Sequence, residues 1–167
     1  MGLFKSKQEK RLIALQNFLT PNNSKNLVLT PKQIITSASS YVNARNKVIQ
    51  NAGKQLNQAD NPKKYFEYVD KINIAIEELD RLEKAAPGTL DRKNGNMKDS
   101  FEKMLPDGIN EMIDRSWKSY QLAASKLTKE DSKKKKLASF FEMMAIYDDK
   151  LYPKNRAFIS KLKSSVE

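Results

Sequence analysis

Neither cysteine nor histidine occurs among the 167 residues. That pair of absences restricts chemistry sharply. Structural zinc sites, Glu-x-x-His di-iron bundles, Ser-His or Cys-His nucleophile pairs and imidazole acid–base catalysis all need side chains this chain lacks. Any catalysis would fall to carboxylates, lysines, tyrosines or hydroxyls. No disulfide can form, which fits a reducing compartment. Long apolar runs are missing too: no window approaches the roughly 18 residues a membrane span needs. Residues 1–11 are basic like the start of a signal peptide, but the apolar run that follows is only Leu12-Ile13-Ala14-Leu15 before Gln16 and Asn17 interrupt it. That is too short for secretion, and cytoplasmic residence is the expectation.

What is present is polar and basic. Apolar residues make up 39% and charged residues 31%, which suits thin helices with wide solvated faces rather than a disordered chain. The length predicts one helical domain over residues 1–167, with 1–30 as a basic amphipathic helix and loop leading into it.

Periodicity predicts helices throughout. Phe4, Leu12, Leu15 and Leu19 form one stripe, predicting a helix over 4–19. Thr30, Pro31 and Gln33 make a strong start signal, a capping box with proline at the first helical position. Ile35, Ala38, Val42, Ile49, Ala52, Leu56 and Ala59 then predict a long seam to residue 59. Asn61 and Pro62 repeat the device, followed by Tyr65, Val69, Ile72, Ile76, Leu79 and Ala86, and Pro87-Gly88 ends that helix. Pro106 and Gly108 predict a break between a short helix over 97–104 and a longer one from 107 carrying Ile109, Met112, Ile113, Trp117, Tyr120, Ala124 and Leu127. Thr128 with Asp131 resembles a weaker cap before a face of Leu137, Phe140, Phe141, Met144 and Leu151, and Pro153 opens a last short helix with Phe158, Ile159 and Leu162. No strand is expected. The fold class read from this pattern is all-α, an antiparallel helical bundle of five or six helices.

Two stretches carry a resemblance. Asn61-Pro62-Lys63-Lys64-Tyr65-Phe66-Glu67-Tyr68-Val69-Asp70 is similar to an Asn-Pro-x-x-Phe-Phe-x-x-Tyr-Asp opening, and Gly108-Ile109-Asn110-Glu111-Met112-Ile113-Asp114-Arg115 to an Ile-Asn-x-hydrophobic-Ile-Asp-Arg segment. Both occur in a group of small uncharacterised helical proteins of low-GC Gram-positive bacteria and their mobile elements. Lys133 to Lys136 with Phe140-Phe141-Glu142 resembles a third segment of that group. The resemblance covers roughly residues 61–159, implies a helical fold, and carries over no activity and no site residues.

Charge is the main positive signal for function. Residues 1–59 hold nine Lys or Arg against one carboxylate, a net +8, whereas 60–127 come to −1 and 128–167 to +4. A basic face of this kind attracts nucleic acid, anionic lipid or an acidic protein. The candidate contacts are Lys5, Lys7, Lys10, Arg11, Lys32, Arg45, Lys47 and Lys54. With no tight helix-turn-helix and no arginine-rich recognition face, contact with nucleic acid would be to phosphate. The run Lys133-Lys134-Lys135-Lys136 points nearly all the way round a helix, so at least one stem must lie along apolar surface. Residues 1–6 match the N-myristoylation pattern, but the reading preferred is that Leu3 and Phe4 pack on the bundle. The adjacent carboxylates Glu77-Glu78 and Asp148-Asp149 diverge around a helix and Glu111 and Asp114 suit surface ion pairs, so no metal and no cofactor are expected. Trp117 and Tyr120 read as core. The sequence therefore predicts a non-enzymatic helical interaction or scaffold module with a basic N-terminal face, its partner another protein or a second copy. Sequence-nonspecific binding of nucleic acid is the alternative, and a membrane surface ranks behind both.

Overall fold

A computed structural model describes residues 4–21, 23–91 and 96–167. Leu3 and residues 92–95 lie outside the described residues. Among those described there are six α-helices and no strand: α1 (Lys7–Leu19), α2 (Pro31–Leu56), α3 (Pro62–Ala85), α4 (Met97–Ser125), α5 (Glu130–Ala145) and α6 (Pro153–Ser164), with a 3-10 turn at Asp148–Lys150. The all-α bundle is as expected, and no helix among the described residues is long and apolar enough to cross a membrane.

Start signals account for most boundaries. The Thr30 hydroxyl accepts from the Gln33 N–H at 3.2 Å while the Gln33 side chain accepts from the Thr30 N–H at 2.9 Å, a reciprocal capping box. Asn61 Oδ1 accepts from the Lys64 N–H at 2.9 Å, with Pro62 opening α3. At α1 the cap is Ser6, whose Oγ accepts from the Glu9 N–H at 3.1 Å. Helical register thus begins after Phe4, which is fully exposed and packs on nothing, contrary to expectation. At α5 the predicted Thr128 cap is absent: Lys129 occupies the cap position without a side-chain bond, and Glu130 and Asp131 in the first turn complement the helix dipole instead.

The largest correction is α4, one continuous helix through Pro106 and Gly108. Proline removes one N–H, but Phe101, Leu105, Ile109, Met112, Ile113, Ser116 and Trp117 keep a single buried stripe on both sides of it, and that burial outweighs one missing hydrogen bond. The Pro106 carbonyl accepts from Asn155 Nδ2 at 2.8 Å. Gly108 is needed where it stands because a Cβ there would lie 2.6 Å from the Tyr65 hydroxyl oxygen.

The chain divides into two compact units, residues 1–51 with 71–98 and residues 52–70 with 99–167, so α2 and α3 supply residues to both. In the first, Leu15, Ile34, Ala38, Leu82 and Ala86 form the core, flanked by Phe18, whose ring meets Tyr41 edge-on at 5.4 Å. Ile34, fully buried, takes the place expected for Ile35, which is 55% exposed. Both fit a helical period with Ala38, and the side on which α1 packs selects Ile34. Gln16, also fully buried, holds the α1–α2 connection: its Nε2 donates to the Asn26 carbonyl at 3.0 Å and its Oε1 accepts from the N–H groups of Val28 at 2.7 Å and Leu29 at 2.9 Å.

In the second unit Trp117 packs against Phe140 and Phe141 at centroid distances of 5.0 and 5.3 Å, and Phe66 stacks on Tyr147. Arg115 donates to the carbonyls of Ala59 at 2.9 Å and Leu56 at 3.3 Å, where the Leu56 carbonyl also accepts from the Ala59 N–H, and so holds the turn that leaves α2. Buried Asn155 satisfies its whole amide, donating to Pro106 and to Asn110 Oδ1 and accepting from the Tyr152 N–H. Burial pushes the Tyr65 phenol up to about 12, reinforced by Glu111 and Tyr152 and opposed by Arg115.

Candidate anion-binding surface

Across residues 10–59 the chain has no carboxylate side chain, so whatever surface these residues present is uncompensated from within. Most of that stretch is α1, its connection and α2. On α2 the positions Lys32, Thr36, Ser39, Asn43 and Lys47 follow one another at offsets of four, three, four and four residues, which puts them on one face, and all five are exposed. The face therefore carries an ammonium group at each end, about 22 Å apart along the axis, with hydroxyl and amide groups between.

α1 meets this face across a groove of about 270 Å³. Its floor is Leu15, Ala38 and Val42, and Arg11, Ser39 and Asn43 stand at its mouth. Lys7, one helical turn before Arg11, shares its side of α1, and Lys10 lies next to it; both are exposed.

The structure separates the eight predicted contacts into two sets. Three are engaged within the fold. Lys5 donates to the Lys25 carbonyl and, at 3.2 Å, to Asn26 Oδ1, tying the start of the chain to the α1–α2 connection. Arg11 donates to the Gly88 carbonyl at 3.0 Å while remaining exposed. Arg45 lies half-buried between α2 and α3: its Nε meets Glu78 Oε2 at 2.7 Å, its Nη1 donates to the Tyr41 carbonyl and its guanidinium sits 3.5 Å over the Tyr41 ring. Planar stacking plus ion pairing is what guanidinium does better than ammonium, and it makes Arg45 a strap instead of a contact. Lys7, Lys10, Lys32 and Lys47 are exposed and make no ion pair or hydrogen bond among the described residues. Lys54 is exposed as well, on the last turn of α2, and belongs to the second unit.

Thr36, Ser39 and Asn43 were missed by reasoning from charge alone. Their signal is the same four-three-four period that marks an apolar seam, here written in polar residues. Lys25, exposed in the connection, is a further cation of this region.

No protein-family model, curated protein or solved structure matches the chain.

Proposed function

We propose that this protein is a non-enzymatic helical interaction module that engages a polyanionic partner through the basic face of its first unit. The observation that carries the reading is the carboxylate-free α2 face, where Lys32 and Lys47 bracket Thr36, Ser39 and Asn43, all five exposed. A solvated face without a partner needs no such selection of side chains; ordinary exposed helix surfaces mix both signs of charge.

Among polyanions, nucleic acid fits best. Spaced ammonium groups neutralise successive phosphates, and hydroxyl and amide side chains between them bond phosphate and sugar oxygens, contacts that position a strand without reading its sequence. Arg11, held by Gly88 at the groove mouth, would present its remaining N–H donors there.

A titration against duplex DNA, single-stranded DNA and anionic vesicles at two salt concentrations tests this. If about four cations contact a duplex, log affinity falls against log salt with a slope near −3.6, about −0.9 for each phosphate. Lys32→Ala with Lys47→Ala should flatten that slope by about 1.8 and leave the melting temperature unchanged, because exposed charges contribute little to stability. Binding to none of the three at low salt would remove the reading. Binding to vesicles alone would replace nucleic acid by a membrane surface.

A further inference from the structure

The lysine run 133–136 belongs to the second unit, and the structure separates its four members. Lys133 pairs with Glu130 at 3.2 Å, Lys136 places its ammonium 4.8 Å over the Tyr120 ring, and Lys135 is exposed. Lys134 stands on the wall of a depression between α5 and α6 that also includes Leu137, Phe141, Lys163 and Val166. Phe141 and Lys163 line a second depression as well, floored by Met144, Leu151 and Ile159. The two, of about 230 and 340 Å³, therefore adjoin and make one trough. Along α5 it runs from Lys134 to Ala145, about three helical turns or 16 Å.

Its charge is predominantly positive at one end. α6 carries Lys154, Arg156, Lys161 and Lys163 and no carboxylate. Lys154 bonds Asp107 and Arg156 bonds Asp148 at 3.0 Å, so the Arg156 end of the trough is neutral. At the other end Lys134 and Lys163, on facing walls, make no ion pair among the described residues, and Glu167 is the one carboxylate that lines it with them.

We propose that this trough receives an amphipathic helix of a partner protein, apolar on one face and acidic along its flanks. The apolar floor matches the i, i+3, i+7 side chains of a helix of this length. Lys134 and Lys163, rising from opposite walls, face the positions where the flanking carboxylates of such a helix lie. Most of the residues that line the trough are exposed, so an occupant keeps one side in water. A helix tolerates that because its outer face is polar, whereas an acyl chain would keep methylenes in water at a cost for each. The trough belongs to the second unit and the basic face of α2 to the first, and Lys32→Ala with Lys47→Ala should leave peptide binding untouched.

The test uses the full chain and a synthetic helical peptide of about four turns, leucine on one face and glutamate on both flanks, with a lysine-for-glutamate counterpart as control. The glutamate peptide should bind saturably and at least about tenfold more tightly than its counterpart, with amide shift changes on α5 and α6, since several rim charge pairs change sign together. In the chain carrying Lys134→Glu and Lys163→Glu the preference should reverse. Both lysines are exposed, and far-UV circular dichroism checks that the variant folds; the peptide comparison on the unmodified chain does not depend on it. Equal binding of the two peptides, no saturable binding, shift changes elsewhere, an unchanged preference in the folded variant, or binding only to phosphatidylglycerol vesicles would each overturn the proposal.

Discussion

Replacing Gln16 by leucine keeps most of the buried volume and removes three hydrogen bonds at once. The Asn26 carbonyl loses one of its two donors and keeps the Ser24 hydroxyl at 2.8 Å, and the N–H groups of Val28 and Leu29 lose their common acceptor. A neutral hydrogen bond contributes about 1 kcal/mol net, so the three together suggest about 3 kcal/mol. The Val28 side of the connection is exposed, and water recovers part of this, which brings the expected loss to about 2 kcal/mol. For a chain of this size that corresponds to a fall in melting temperature of roughly 4–8 °C. Gln16→Ala should lose a further 1–2 kcal/mol or so for the cavity among Leu15 and its neighbours. Urea denaturation followed by far-UV circular dichroism measures both, and amide exchange at Val28 and Leu29 locates the effect. If Gln16→Leu stays within about 0.5 kcal/mol of the parent while those two amides exchange as slowly as before, the connection is held by something other than Gln16 and the reasoning fails.

Two further predictions concern Tyr65. Gly108→Ala gains up to about 1 kcal/mol of helix propensity but drives a methyl to 2.6 Å from the tyrosine oxygen, an overpacking cost of about 1–3 kcal/mol, so the single variant should be less stable. In a Tyr65→Phe background the clash is gone and the same change should be neutral or stabilising; a double-mutant cycle showing no coupling would contradict the close contact. The second concerns pH. Because burial pushes the folded phenol up to about 12 from an ordinary 10.0, the unfolded chain releases that proton first as pH rises. The contribution of Tyr65 is then fully present below about pH 10 and is lost progressively between about 10 and 12. Urea melts across that window should show a shallower decline for Tyr65→Phe than for the parent, and identical declines would refute the assignment.

Much of the fold was legible because it depends on local rules. The Thr30–Gln33 box and the Asn61–Pro62 start operate over four residues, and the α3 seam from Tyr65 to Ala86 is a simple period, so each appears in the sequence as it does in space. What failed depends on distant partners. Whether Ile34 or Ile35 faces inward is decided by the side on which α1 packs, and Pro106 is carried through because its neighbours on the stripe are buried. Gln16 and Asn155 look like solvated amides until their partners, ten or more residues away, come into place. The candidate surface was legible as charge but not as an arrangement. Nothing in the sequence separates Arg45, committed to Glu78 and the Tyr41 ring, from Lys47 two residues later, which is exposed.

The missing carboxylates on α2 also determine how its surface responds to protons. Carboxylates and imidazoles are the side chains that ordinarily change charge between about pH 3 and 8, and the stretch from residue 10 to 59 contains neither. The charges that these residues themselves supply are then ammonium and guanidinium groups alone, and the carboxylate that meets them, Glu78, comes from α3, where it is paired with Arg45. Acidification leaves those charges intact, and no side chain of the stretch itself offers a protonation step that would release a bound polyanion. Release has to come from competing ions, from a competing polyanion, or from modification of the lysines themselves.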